Sequence, residues 1–154
     1  MTYEPLYVAY LVYFNRDKDY FECHEVLEEL WLAKDKDTRY KGMLQVAVGL
    51  YHYRNGNIRG AYKMMNAARD RLAGCQSHEL GIEMDELRGH IDDYVHRLEK
   101  YEEYPVVYED FTIEITDPVL QNLVDQAAPG ITPNIPQRRG PQRSAKHELK
   151  HARH

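Results

Sequence analysis

Between Leu6 and Tyr101 the apolar residues recur at steps of three and four, the period of an α-helix, and Gly and Asn interrupt them at intervals. A chain patterned this way buries its stripes by packing helix on helix. Leu6, Tyr10, Tyr13 and Phe14 share one face of a first helix, which the run NRDKD then breaks. Asp19 stands as an N-cap three residues before Glu22, and Phe21, Cys23, Leu27, Leu30 and Trp31 carry a second helix to about Lys34. A third, MLQVAVGLYHYR, ends at Asn55-Gly56, a pair suited to the left-handed turn after a helix. Asn57 caps a fourth, from Ile58 to about Ala73. Met84, Leu87, Ile91, Tyr94, Leu98 and Tyr101 stripe a fifth, from Ile82 to Tyr101. The predicted fold class is all-α, a helical bundle forming a single domain over residues 1–128.

Beyond Tyr104 the pattern changes. VVYEDFTIEI alternates too briefly for a stable sheet, which predicts an extended arm over the bundle with Val106, Val107, Phe111 and Ile113 as its packing face. Asp117-Pro118 then starts a short helix to about Gln126. Charge is uneven: residues 1–105 hold 14 Lys/Arg against 19 Asp/Glu, residues 106–137 none against five, and residues 138–154 six against one. From Pro129 the chain is rich in Pro, Gly, Gln and Arg, so residues 129–154 are expected to form a mobile, disordered basic tail. Nucleic acid is not an expected partner except through that tail.

No stretch approaches 18 consecutive apolar residues, and MTYEPLYVAYLVYF lacks a basic leader and a small-residue cleavage site. A cytoplasmic protein with no membrane partner is expected. Cys23 and Cys75 have neither CxxC spacing nor further cysteines, so they read as small apolar residues. Thirteen tyrosines stand against three phenylalanines, at spacings where a ring packs while its hydroxyl reaches a polar group. The tyrosine-rich first helix, YEPLYVAYLVYF, leads to the expectation of a homodimer.

Two stretches resemble each other as helical hairpins: Asp19-Tyr20-x-x-Cys23-His24-x-x-Leu27 and, 38 residues on, Asn57-x-x-x-Ala61-Tyr62-x-x-Met65. In the second, Gly49, Ala61 and Ala68 occupy the small-residue positions of a tetratricopeptide repeat, while Gln45 and His52 stand where that repeat places Trp and Tyr. Something polar faces inward.

The same conclusion comes from HEVLE, one residue away from the zinc-protease pattern HExxH. With His24 at zero on a helical wheel, Leu30, Cys23, Leu27, Tyr20 and Trp31 fall at about 240° to 340°, and Phe21 and Leu32 at about 60° to 80°. His24 and Glu28 lie inside this apolar arc, Glu25 at its edge, Glu22 and Glu29 opposite. Gln45, Val48, Gly49 and His52 share one face of the third helix. His24, Glu25, Glu28, Gln45 and His52 therefore form the candidate polar cluster. A carboxylate inside a core needs a hydrogen-bonding partner, a cation or water. Three readings stay open: a network that fixes helix register, a divalent-metal site with His24, Glu28 and His52 as ligands, or a metal-free pocket. Asp93-x-x-His96 has di-iron spacing but lies off the apolar stripe and reads as a surface pair.

The runs FNRDKDYFECHEVLEELW and QVAVGLYHYRNGNIRGA resemble the family called domain of unknown function 309, through Phe14, Asn15, Glu22, His24, Glu25, Glu28, Trp31, Gln45, His52, Gly56, Asn57, Gly60 and Ala61. The resemblance implies an all-α bundle with its polar motif residues gathered in one region, and no established activity. Trp31, Gly49, Gly56, Asn57, Gly60 and Ala61 read as structural. Two function classes follow. The first is a binding or adaptor module for a protein or peptide, its polar cluster facing inward. The alternative is a metal-dependent or His/Glu-based hydrolase, for which the sequence offers no nucleophile motif or phosphate loop.

Overall fold

The computed structural model describes residues 3–133. Helix α1 (Pro5–Val12) runs on through a π-helical turn, Tyr13–Asp17. It is followed by α2 (Tyr20–Ala33), α3 (Thr38–Arg54), α4 (Ile58–Leu72), a 3-10 turn at Glu79–Gly81, α5 (Met84–Glu99), and α6 (Pro118–Ala127), which ends in a second 3-10 turn. The chain is an all-α bundle: among the described residues there is no strand, and the only bridge is antiparallel, Ile82 to Ile115. No helix among them is long and apolar enough to cross a membrane.

α3 is the centre. Residues 42–51 are buried without interruption, which marks a helix covered on every side. α2 and α4 cover it, α1 packs on α2 and α6, and α5 packs on α4. Small residues allow the α3–α4 approach: a Cβ on Gly49 would meet the Met65 side chain at 3.0 Å, and one on Gly42 would meet Leu72 at 2.8 Å. Ala61 and Ala68 are wholly buried in the same contact.

α1 is used inside the chain. Tyr7 donates to the Leu80 carbonyl at 2.8 Å and Tyr10 to the Met43 carbonyl at 2.9 Å, and both rings are buried. Both belong to the tyrosine-rich first helix from which a homodimer was expected, and their rings pack within the chain. Both cysteines are free, Cys23 in the core.

Several expected boundaries differ. The first helix does not stop at Phe14: its π turn carries on to Asp17, and Lys18, at φ 52°, makes the break. The fifth helix starts at Met84 and not Ile82, because Leu80 (φ 61°) and Gly81 (φ 72°) turn the backbone and Ile82 joins the bridge to the arm. Leu32, placed in the apolar arc of the wheel, is 57% exposed at the unpacked end of α2. In the arm, Ile113 is buried but Val107 is 83% exposed. Tyr108 turns inward instead, sharing Asp110 Oδ1 with Tyr20 at 2.6 and 2.7 Å. Of the tail expected from residue 129, residues 129–133 are described, with Arg16 donating to the carbonyls of Ala128 and Ile131 at 2.8 Å each. The remainder lies outside the described residues.

Asn15 fastens the arm. Its amide donates to the Ile113 carbonyl and its oxygen accepts the Ile113 N–H, both at 2.8 Å, so one side chain acts as a short piece of strand. Asn15→Ala removes both bonds from the backbone of a buried residue and should cost about 1–3 kcal/mol in urea unfolding. A loss under 0.5 kcal/mol, a figure of roughly the size of an ordinary surface substitution, would show that water replaces the amide there.

Candidate functional site

The site begins with a cap. Asp19, fully buried, accepts the Glu22 N–H at 3.2 Å and starts α2 in the rotation that turns Tyr20, Cys23, His24 and Leu27 inward. His24 is 2% exposed. Its Nδ1 lies 3.4 Å from Glu25 Oε1 and its Nε2 lies 3.4 Å from Glu28 Oε2, with the carboxylate side chains 17% and 12% exposed. Among the described residues, these three side chains offer donor atoms within 4.8 Å of one another. Glu25, placed by the wheel at the rim, thus stands in the group itself.

Both 3.4 Å separations lie at the long end for an N–H···O bond, which usually spans about 2.7–3.2 Å. The Glu28 separation also matches the spacing of donors around an ion. A tetrahedral ion with bonds of about 2.1 Å holds its donors about 3.4 Å apart, the spacing of His24 Nε2 and Glu28 Oε2. The opposite ring nitrogen faces Glu25, and a carboxylate there fixes the tautomer of a ligating imidazole.

α3 packs against α2. Gln45 is 6% exposed, and its Oε1 is buried with no hydrogen-bond partner among the described residues. One turn earlier on the same helix, Lys41 sets its ammonium 4.5 Å from the centre of the Trp31 ring. Burial pushes the Lys41 pKa below the ordinary lysine value and the Arg71 charge adds to this, while Glu28 opposes it. Sequence reasoning missed Lys41. The signal was present, since Lys41 and Gln45 stand at i and i+4 on one helical face.

His52 sits in the last turn of α3, half-buried, edge-on to Tyr51 and with Nδ1 3.4 Å from Asn57 Nδ2. This ties it to the α3–α4 turn, where the remaining motif residues have structural work. Gly56 takes φ +80°, Asn57 N–H returns to the His52 carbonyl at 2.8 Å, and Asn57 Oδ1 caps α4 on the Gly60 N–H at 3.0 Å. A Cβ on Gly60 would strike the Asn57 amide at 2.6 Å, so glycine there keeps the cap in place. Asp93, of the expected surface pair, bonds Arg97 at 3.0 Å, and His96 is exposed.

The chain is similar to the uncharacterized protein YpuF of Bacillus subtilis (strain 168), with 46% identity over 66 residues that cover 41% of this chain and 38% of that protein. It is also similar to an uncharacterized protein of Aquifex aeolicus (strain VF5), with 28% identity over 78 residues, covering 49% and 23%. The chain thus spans less than half the length of either relative. No solved structure matches it. The model of one family, the domain of unknown function (DUF309), matches residues 7–64, from α1 into α4, a stretch that takes in His24, Glu25, Glu28, Gln45 and His52.

Proposed function

We propose that this is a helical binding module whose α2–α3 seam takes a divalent cation of the zinc or manganese class. The observation that carries the reading is the His24, Glu25 and Glu28 group at ion-coordinating distances in a mostly buried setting. His24 Nε2 and Glu28 would ligate, Glu25 would accept the Nδ1–H, and Gln45 Oε1 would add a neutral oxygen from the facing helix. The unpaired cysteines fit a reducing, cytoplasmic setting. A metal-assisted hydrolase is the second reading, favoured by Lys41, whose ammonium is destabilised by burial within electrostatic reach of Glu28.

Elemental analysis of protein purified without chelator or nickel tests the site. The parent should hold close to one divalent ion per chain, and Glu28→Gln and His24→Ala should each lower its affinity by about tenfold or more. Zinc at about 100 times its Kd should stabilise the parent by about 2.7 kcal/mol through mass action. An architectural network behaves differently: no metal in the parent, no zinc shift, Glu28→Gln tolerated, and Glu28→Leu costing about 1–3 kcal/mol. That outcome overturns the proposal.

A further inference from the structure

A groove of about 780 Å³ lies where the first turns of α4 meet the last turn of α5. Its apolar floor includes Ile58, Tyr62 and Tyr101, and Glu99, Glu102 and Glu103 stand along its edge, exposed. Among the described residues none of those three carboxylates has an ion-pair partner, although Arg59 and Lys100 also line the groove. Tyrosine faces beside free carboxylates suit a guanidinium, which stacks on a ring while its N–H fork meets an anion.

The chain itself carries such a segment. Residues 1–133 hold 14 Lys/Arg against 24 Asp/Glu, whereas residues 134–154 hold six against one, including the pair Arg138-Arg139. Residues 101–133, which follow the groove's edge, contain no lysine or arginine. Ile131, three residues before that segment, lies within a short series of contacts of the groove. Ile131 is held by Arg16, two residues on the Lys18 carbonyl accepts from Arg54 at 2.6 Å, and beside Arg54 the Tyr53 ring stands edge-on to Tyr101 in the groove, 6.3 Å between centres. Twenty-one residues reach up to roughly 70 Å when extended, more than the width of such a domain.

We infer that the basic segment 134–154 binds this groove in the same molecule, with its arginines on Tyr62 and Tyr101 and its charges against Glu99, Glu102 and Glu103. The groove is then a receptor for arginine-rich sequence that its own chain occupies.

Zero-length carbodiimide crosslinking of mixed isotopically light and heavy full chains, read by mass spectrometry of the linked peptides, tests this. Lys146 and Lys150 should link to Glu99, Glu102 or Glu103 at least fivefold more often than to exposed carboxylates elsewhere, such as Asp70 and Glu86, about the ratio that 1 kcal/mol of preference gives. The preference should vanish in 1 M salt, where the screening length falls to about 3 Å. The variant carrying Glu99→Gln, Glu102→Gln and Glu103→Gln, checked for unchanged helical circular dichroism, should be cut by trypsin at Arg138 and Arg139 several times faster than the parent. Links spread evenly over exposed carboxylates, or unchanged trypsin cleavage in the variant, would overturn the inference. So would links that form only between isotopically light and heavy copies, since a second molecule would then be the occupant.

Discussion

Above pH 10 the chain is expected to unfold cooperatively within about two to three pH units, because its core holds phenols that must stay protonated. Tyr7, Tyr10 and Tyr20 are at most 1% exposed, and each hydroxyl donates a hydrogen bond, to Leu80 O, Met43 O and Asp110 Oδ1. A phenolate cannot donate. Burial is the leading cause that raises all three pKa values well above 10, and it pushes the half-exposed Tyr3 up to about 12 with the help of Asp117. The sign follows from linkage. An acid whose folded pKa is raised binds more protons folded than unfolded once pH exceeds its unfolded value of about 10, so stability falls as pH rises further. Each fully held phenol contributes about 1.4 kcal/mol per pH unit, and three contribute about 4, against a total stability of about 5–15 kcal/mol. Tyrosinate absorbance at about 295 nm should therefore rise in one step together with loss of far-ultraviolet helix signal. A gradual rise centred near pH 10 with the helix signal intact would contradict the assignment of those rings to the core.

Phe14→Ala should be among the most destabilising single substitutions in the chain, costing about 3–5 kcal/mol in urea unfolding. Phe14 has no exposed surface, and its ring lies 5.6 Å from Tyr10, 5.1 Å from Tyr20 and 5.5 Å from Phe111, centre to centre. Those three rings belong to α1, α2 and the arm, so the cavity would open where three segments meet. Phe14→Leu keeps much of the volume and should lose less than half as much. If the two variants lost equal stability, the ring–ring contacts and not the filled volume would be the source.

The fold was legible where local chemistry decides it. Asp19, Asn57 and Asp117 announce helix starts because a short polar side chain can accept an N–H two or three residues on, and each does so. Ile82 was misplaced because it is an apolar residue only two positions before Met84, the first residue of the α5 stripe, although on a wheel it falls on the opposite face. The turn at Leu80 and Gly81, and the bond from Glu83 N–H to the Glu114 carbonyl at 2.8 Å, depend on an arm 30 residues downstream that a helical wheel does not contain. Leu32 failed for a related reason: a wheel gives the angle of a residue but not where the neighbouring helix ends. The π turn at Tyr13–Asp17 has no residue that signals it. At the site, the inward direction of His24 and Gln45 could be read from polar residues interrupting apolar faces. Lys41 could not be weighted the same way, since lysine on a helix is ordinarily solvated.

The family segment stops at residue 64, midway along α4, yet the side chains that seat α4 on the central helix lie just past that point: Met65 against Gly49, Leu72 against Gly42, and Ala68 between them. Their far side is closed by α5, which lies wholly outside the segment. A chain cut at the end of the matched stretch would lose the side chains that seat α4 on α3, so the unit that packs is longer than the unit the family model matches.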